Sequence, residues 1–228
     1  MGLIELVSKI PLFHGLSREQ LDEVVNILID QTFERGQTIF SEDEEASGFF
    51  VVITGQVKIF KVSHEGKEQI LHIFGHGESF GEVPVFAGGR FPANAETLAK
   101  SRLFFFPRPA FLEMIKKDPS LAMNMLSELS RRLRHFAHLI EELSLKEVPG
   151  RLAAYLLYLN ERQGGKNELE LDITKGQLAS LLGTIPETLS RILGKISSQG
   201  LIKMQGRKLR ILGRKALEDL AESGKLLI

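Results

Sequence analysis

The strongest constraint on the fold is a series of apolar residues that recur at alternating intervals of four and three. The series runs through Ala122, Leu126, Leu129, Leu133, Phe136, Ile140 and Leu143. It is the a/d seam of a heptad repeat, and it predicts one long helix, opened by Ser120, whose narrow apolar face needs a partner helix. We expect a second copy of the chain to supply that helix, with all members after Ala122 in the dimer interface. The alternative is an amphipathic helix packed on its own domain.

The residues before this helix are typical of a small β-structure. From about Asp30 to Phe106, short apolar runs such as Phe49–Ile53, Val57–Lys61 and Gln69–Phe74 are separated by glycines. The turn Glu65-Gly66-Lys67 between the last two runs predicts a hairpin. Many short strands with regular glycine punctuation favour a jelly roll or a related barrel. Short helices are expected beside it, over residues 12–20 with Ser17 as N-cap, and over residues 110–117.

The residues after the long helix predict a helix-turn-helix. Thr174 and Gln177 have the spacing of a capping box, which opens the first helix. Ala179 is small where two helices approach closely, Gly183 suits a turn that needs positive φ, and Pro186 fits the first turn of a second helix. The shared core is predicted to contain Leu178, Leu182, Leu189, Ile192 and Leu193.

The second of these helices is predicted to read DNA. Its N-terminal exposed face carries Glu187, Thr188, Ser190 and Arg191, with Lys195 one turn further on, and recognition helices present this part to base edges. Arginine can bond guanine, and glutamate can accept from cytosine. Glu187 has a competing role as the third residue of a capping box that starts at Thr184.

A β-hairpin follows this helix and is predicted to be a wing. The segments 201–204 and 208–212 flank the turn Gln205-Gly206-Arg207. Arg207 and Lys208 in the wing are candidate phosphate contacts. Thr174 and Lys175, at the start of the first helix, are further candidate DNA-binding residues.

Charge is distributed in a way that supports this prediction. The chain is neutral overall, yet residues 146–228 carry 14 Lys and Arg against 9 Asp and Glu. Between Ile173 and Lys215, nine basic residues accompany a single acid, Glu187. Such a local excess is expected of a surface that binds phosphates. The alternative is a solvated charged face.

Composition excludes several classes of protein. With no cysteine, the chain cannot form disulfides, thiolate zinc sites or iron–sulfur clusters. We find no nucleophile motif and no phosphate-cradling glycine loop before a helix, so an enzyme is not expected. There is no membrane-spanning run and no signal peptide, which predicts a cytoplasmic protein.

The sequence therefore predicts an α+β chain with three parts. Residues 1–118 form a predicted sensor β-roll, residues 119–147 the dimerisation helix and hinge, and residues 148–228 a winged helix-turn-helix. Pro149-Gly150 breaks the helical pattern and is expected to be the hinge between domains.

The sequence resembles the CRP/FNR superfamily of bacterial transcription regulators over essentially its whole length. The resemblance is carried by the long helix and, in the family's order, by Gly36–Phe40, Phe49–Val57, Gly77–Glu82 and Pro186–Arg191. It implies a cyclic-nucleotide-binding-type β-roll, joined by a long dimerisation helix to a winged helix-turn-helix. Glu187, Ser190 and Arg191 look like the FNR-type reading head, which implies palindromic operators with half-sites near TTGA. Double-stranded DNA, a second subunit and RNA polymerase are the implied partners.

The resemblance does not extend to cyclic AMP. Members that bind it follow Gly-Glu with an Arg-Ser-Ala triplet, whose arginine pairs with the cyclic phosphate. Gly81, Glu82 and Ala93 are present here, but Phe91 and Pro92 replace the arginine and the serine, and Arg90 lies one residue early. A Thr-Ser pair that contacts adenine corresponds to Phe136-Ala137. The effector pocket is nevertheless expected at the junction of β-roll and long helix, lined by Phe74, Phe80, Gly81, Glu82, Phe91, Ala93, Leu133 and Phe136.

Three effector hypotheses stay open. Among cysteine-free relatives, the chain looks most similar to the DNR-like and HcpR-like regulators of nitrogen-oxide metabolism, which are associated with haem and nitric oxide. Haem needs an apolar slot and an axial ligand, and His14, His135 and His138 are the candidates, each with a surface or structural role as the alternative. A small organic or anionic ligand is the second hypothesis, and a regulator without an effector is the third.

Overall fold

The computed structural model describes residues 2–224, apart from the side chains of residues 135, 138, 139 and 142–144. The chain divides into two compact units, Met1–Leu133 and Arg134–Ile228. Within the described range, no helix combines the length and the apolar run that crossing a bilayer requires.

The first unit is a β-roll of two four-stranded antiparallel sheets. One sheet has the order β1-β8-β3-β6 and the other β2-β7-β4-β5. The strands are β1 (Ile29–Phe33), β2 (Thr38–Phe40), β3 (Gly48–Thr54), β4 (Val57–Val62), β5 (Glu68–Phe74), β6 (Ser79–Phe80), β7 (Asn94–Thr97) and β8 (Ser101–Pro107). The predicted β-roll is confirmed, including the hairpin turn between β4 and β5.

Strand β3 explains why one run of the sequence is apolar without alternating. Phe49 and Val51 pack against the helices on the outside of the first sheet. Phe50 and Val52 pack into the space between the two sheets. A strand that is covered on both faces needs apolar residues at every position. The roll therefore has two cores, one between the sheets and one under the helices.

Helices cover the first sheet and lead out of the roll. They are α1 (Leu3–Ser8), a 3₁₀ turn (Pro11–Phe13), α2 (Arg18–Ile27), α3 (Val83–Ala87), α4 (Arg108–Lys117) and α5 (Pro119–Leu145). The predicted cap of α2 is confirmed, because the Gln20 amide N–H donates to Ser17 Oγ at 3.3 Å and the Ser17 N–H donates to Gln20 Oε1 at 2.5 Å. The long helix begins at Pro119, one residue before the predicted Ser120.

The second unit is a winged helix-turn-helix. It contains α6 (Val148–Arg162), β9 (Glu168–Glu170), α7 (Lys175–Leu181), α8 (Pro186–Ser198), β10 (Ile202–Gln205), β11 (Lys208–Ile211) and α9 (Arg214–Ser223). The three strands form an antiparallel sheet in the order β10-β11-β9. The N-terminal β-roll and this winged unit together confirm the predicted fold class.

The predicted hinge at Pro149-Gly150 is wrong in its position. The helical run breaks at Lys146-Glu147, and Pro149 lies in the first turn of α6. Proline is tolerated there because the N–H that it lacks has no partner within the helix. Gly150 is a packing glycine, since a Cβ on it would lie 2.5 Å from the Gly224 Cα.

Candidate nucleic-acid interface and effector pocket

Helix α8 presents a polar face at its N-terminal end. Leu189, Leu193 and Ile196 bury the opposite face, while Glu187, Ser190, Arg191 and Lys195 are exposed and Thr188 is half-buried. Residues three and four apart share a helix face, so Glu187 lies beside both Ser190 and Arg191. The structure thus brings the predicted reading residues together on one surface.

The competing role of Glu187 in a capping box is not observed. The N-cap of α8 is Ile185, with no side-chain hydrogen bond, and Glu187 is the second helical residue. The predicted box started at Thr184 and was wrong because the helix begins one residue later, at Pro186. Among the described residues, the side chains of Glu187, Arg191 and Lys195 form no hydrogen bond or ion pair. Their polar groups are therefore available to a ligand.

The first helix of the motif is held as the sequence predicts. Thr174 caps α7, with the Gln177 N–H donating to its Oγ1 at 3.2 Å and the Thr174 N–H donating to Gln177 Oε1 at 2.8 Å. Ala179 is fully buried, and Gly183 adopts φ +65°. The Thr184 N–H donates back to the Ala179 carbonyl at 2.9 Å. These bonds fix the turn, and Lys175 remains exposed beside the cap.

The two candidate phosphate-binding residues of the wing, Arg207 and Lys208, differ in their contacts. The turn between β10 and β11 contains Gly206, with φ +65°, and Arg207. Arg207 Nε donates to the Leu171 carbonyl at 2.9 Å, and the Leu171 N–H donates to the Arg207 carbonyl at 2.9 Å. Arg207 thus anchors the wing and keeps only part of its guanidinium for a ligand. Lys208 is exposed and has no side-chain partner in the described part of the chain.

Part of the predicted effector set lies inside the β-roll, whereas Leu133 and Phe136 are exposed on α5. Phe74, Phe80 and Phe91 share the core between the two sheets, and Ala93 is also buried. Gly81 adopts φ +79°, and a Cβ there would lie 3.3 Å from the Phe91 ring and 3.4 Å from the Phe40 ring. Glycine is favoured here because the backbone has a positive φ and because the two rings leave little room for a Cβ.

Aromatic rings occupy much of this interior. The rings of Phe40 and Phe91 stack with centroids 3.7 Å apart and an interplanar angle of 9°. Phe80 lies 5.4 Å from Phe50 and 5.6 Å from Phe74, measured between ring centroids. Arg90 lies outside this core, exposed, with Nη1 donating to the Asp43 carbonyl at 2.6 Å. Phe91 therefore points inward where a cyclic-AMP-binding relative would need an arginine.

Glu82 forms an ion pair that the sequence did not predict. Its side chain is 3% exposed, and both carboxylate oxygens accept from Arg132 Nη1 of α5, at 2.7 and 2.8 Å. Arg132 Nη2 also donates to the Ser79 carbonyl and, at 3.1 Å, to Ser79 Oγ. The guanidinium lies 5.0 Å from the centroid of the Phe74 ring. The only sequence signal was that a buried carboxylate needs a cation, and α5 carries several arginines.

The predicted seam of α5 is largely uncovered in the single chain. Leu126 is 56%, Leu133 71% and Ile140 65% exposed, and Phe136 is 38% exposed. Leu129 is half-buried against the helix-covered core of the first unit. The side chain of Leu143 lies outside the described residues. An exposed apolar row of this length indicates a surface that another chain covers.

Of the three candidate haem ligands, only the side chain of His14 lies among the described residues. His14 is exposed, and its carbonyl accepts from Asn124 Nδ2 at 3.0 Å. The side chains of His135 and His138 lie outside the described residues. No cluster of three potential metal ligands occurs among the residues described. Two pockets of the roll, of about 280 and 370 Å³, have no histidine among their lining residues.

Comparison with known proteins agrees with this architecture. Residues 30–118 match the model of the cyclic nucleotide-binding domain, and residues 150–220 match the Crp-like helix-turn-helix domain. The chain is 30% identical over 211 residues to the CRP-like cAMP-activated global transcriptional regulator of Mycobacterium tuberculosis, covering 91% of this chain and 94% of that one. It is 27% identical over 222 residues to the fumarate and nitrate reduction regulatory protein of Escherichia coli, covering 94% and 88%. The structure of a crp/fnr family regulator from Eubacterium rectale superposes with a TM-score of 0.74 at 26% identity, covering 93% and 98%.

Proposed function

We propose how operator and effector are recognised by this chain, which belongs to the CRP/FNR family of effector-controlled, DNA-binding transcription regulators. A homodimer reads a palindromic operator with TTGA-like half-sites, and each half-site is read by one α8. The observation that carries the proposal is the exposed face of Glu187, Ser190 and Arg191, whose side chains have no competing partner among the described residues.

Each polar group on this face suits a base edge in the major groove. The Arg191 guanidinium can donate two hydrogen bonds to O6 and N7 of a guanine, and the Glu187 carboxylate can accept from N4 of a cytosine. A TTGA half-site offers a guanine on one strand and, opposite it, a cytosine on the other. Thr188 and Ser190 flank this pair and can donate to a neighbouring base or phosphate.

Basic groups around this face supply the affinity that is independent of sequence. Lys195 follows the reading residues on α8, Thr174 and Lys175 lie at the start of α7, and Arg207 and Lys208 lie on the wing. Phosphate contacts of this type position a protein on the duplex. They also release counterions, which makes binding dependent on salt.

Two copies of α5 form the proposed dimer contact. Joining the exposed Leu126, Leu133, Phe136 and Ile140 to the same residues of a second chain removes this apolar row from water. The resulting two-fold axis places two copies of α8 on successive major grooves, about 34 Å apart. The palindromic operator follows from this symmetry. Contact with RNA polymerase remains a prediction from the family.

The effector is not cyclic AMP in this proposal. Phe91 and Pro92 replace the phosphate-binding pair, and Phe91 is stacked on Phe40 inside the roll. Glu82 already accepts two hydrogen bonds from Arg132. The effector is instead a small organic molecule. Resemblance to the nitrogen-oxide regulators, with haem and nitric oxide as effectors, stays a prediction.

A binding experiment with fluorescent duplexes tests the reading head. We expect Arg191→Ala and Glu187→Ala each to weaken binding to a TTGA palindrome by roughly 5- to 150-fold, because a good base contact contributes about 1–3 kcal/mol. Glu222→Ala is the matched control, an exposed residue of α9 outside this face, and should bind as the unaltered protein does. Unchanged affinity of both α8 variants would reject the assignment.

Two titrations test the effector proposal. Isothermal titration calorimetry with cyclic AMP should show no saturable heat. Haem added to the purified protein should give no saturable shift of the Soret band. Stoichiometric binding of either ligand, one per subunit, would replace the proposed effector with that ligand.

A further inference from the structure

A pocket opens at one end of the β-roll, between the two sheets and the loop that follows β2. Its volume is about 280 Å³, just below the range of about 300–1,000 Å³ that small-molecule sites occupy. It is lined by Gln31, Phe33, Ile39, Phe40, Glu44, Glu45, Ser47, Phe50, Phe91 and Phe105. Half of these residues are phenylalanines.

Aromatic rings form the inner wall of this end pocket. Phe40 stacks on Phe91 at 3.7 Å and lies 6.0 Å from Phe50, which in turn lies 4.9 Å from Phe105, all measured between ring centroids. The face of an aromatic ring is the negative end of its quadrupole, so it attracts cations as well as apolar groups. Phe33 and Phe105 are half-buried and supply the accessible part of this wall, while Phe40, Phe50 and Phe91 are buried. The accessible rings are suited to a small apolar body that carries a positive charge.

Carboxylates supply the only formal charges among the lining residues. Glu44 and Glu45 are both exposed at the mouth, and no lysine, arginine or histidine lines the pocket. Glu44 is held in place, because the Ser41 N–H donates to its Oε2 at 2.9 Å. The loop is tied to the wall by two backbone bonds of 2.9 Å, from the Asp43 N–H to the Phe91 carbonyl and from the Phe91 N–H to the Glu44 carbonyl. The acidic mouth is thus part of a built loop.

From this combination, we propose that the end pocket is an effector site for a small organic ammonium ion with an apolar body. The rings take the body, and the carboxylates of Glu44 and Glu45 take the charge. An anion of the same size is repelled by these carboxylates. This inference rests on the proposed function, since it names the class of effector that controls operator binding.

The wall of the pocket lies close to the residues that hold the long helix. Phe40 and Phe91 form its wall and also lie against Gly81, where a Cβ would come within 3.4 Å of each ring. The next residue, Glu82, holds Arg132 of α5 through two hydrogen bonds. A ligand that displaces Phe91 therefore displaces the strand end that anchors α5, which is how occupancy alters operator affinity.

A pair of ligands that differ in charge tests the site. Phenethylamine is a cation at neutral pH, and phenylacetate is an anion of nearly the same size and shape. In calorimetry with the full-length protein, we expect saturable binding of phenethylamine, one per subunit, and at least tenfold weaker binding of phenylacetate. The double variant Glu44→Gln/Glu45→Gln should bind phenethylamine at least threefold more weakly. Glu65→Gln, in the exposed turn between β4 and β5, should bind it unchanged.

Operator binding is measured in the same samples by fluorescence anisotropy. We expect saturating phenethylamine to change the affinity for the TTGA palindrome at least threefold. Equal binding of both ligands, no saturable binding of the cation, or occupancy without a change in operator affinity would overturn the inference. If operator binding itself is intact in those cases, only the effector site is wrong. If the palindrome is not bound in any condition, the proposed function fails instead.

Discussion

The ion pair between Glu82 and Arg132 gives the most demanding test of the structure. Removing the cation with Arg132→Met leaves a carboxylate that is 3% exposed without its partner, while the methionine keeps much of the apolar stem. The arginine side chain is itself 21% exposed, so water can reach part of the site. The substitution strands Glu82 and also removes the hydrogen bonds of Arg132 to Ser79 and its contact with the Phe74 ring.

The expected cost is about 3 kcal/mol of the free energy of unfolding of the roll. Removing one partner of a buried ion pair costs about 3–5 kcal/mol, because an uncompensated charge remains, and the partial exposure of Arg132 places this site at the lower end. Replacing Glu82 as well, in Glu82→Gln/Arg132→Met, removes the stranded charge. We expect the double variant to be more stable than Arg132→Met alone, which is the sign of a strong coupling in a double-mutant cycle.

The distribution of aromatic residues allows each unit to be followed separately. The chain has 15 phenylalanines, all between Phe13 and Phe136, and no tryptophan. Its two tyrosines, Tyr155 and Tyr158, both lie in α6. Burial raises the pKa of the Tyr155 phenol, so this reporter stays protonated in alkaline buffers as well as in neutral ones. Near-ultraviolet circular dichroism of phenylalanine therefore reports on the roll, and tyrosine fluorescence reports on the DNA-binding unit.

Urea unfolding gives the readout. With a slope of about 1–3 kcal/mol per molar urea, a loss of about 3 kcal/mol moves the phenylalanine transition of Arg132→Met to lower urea by about 1–3 M. The tyrosine transition should move much less. A phenylalanine transition at the unaltered midpoint would refute the reasoning, as would a double variant no more stable than Arg132→Met.

Four further predictions concern other surfaces. Leu133→Asp places a charge at the exposed seam of each subunit, so sedimentation at micromolar concentration should show monomers in place of dimers. Lys208→Ala should weaken operator and random duplex equally and lower the slope of log K against log salt by about 1, because it removes one phosphate contact. Thr174→Ala should cost the second unit about 1 kcal/mol in tyrosine-monitored unfolding, through loss of the cap. Gly150→Ala should cost it about 1–3 kcal/mol, because the new Cβ meets Gly224.

Features that depend on near neighbours were predictable from the sequence. The Ser17–Gln20 and Thr174–Gln177 boxes each form between residues three apart, and the positive φ of Gly183 lies in a turn defined by its own neighbours. Such features are decided within one turn of chain, so residue type and spacing are sufficient. The same reasoning misplaced the cap of α8, because Thr184 and Ile185 both precede Pro186 and a threonine is the better cap in isolation.

Features that depend on distant pairing were not predictable. Glu82 and Arg132 are 50 residues apart, and Phe40 and Phe91 meet only because β2 pairs with β7. No periodicity in a single sequence encodes these pairings. The effector residues Phe74, Phe80 and Phe91 could be proposed from the motif around Gly81. Their packing on one another, which fills the interior, could not be predicted, because it depends on which rings of the second sheet lie opposite them.

The long helix α5 carries two sets of side chains, one that packs on the first unit and one that forms the predicted seam. Leu121 and Met125 are buried in the core of the first unit, and Arg132 binds Glu82 from a neighbouring part of the helix. Leu126 and Leu133 face outward on the predicted seam. Arg132 and Leu133 are adjacent in sequence, and a helix turns by a fixed angle per residue. Any effector that moves Arg132 relative to the roll must therefore also move the adjacent Leu133, so a change at Glu82 reaches the start of the proposed seam without a separate relay.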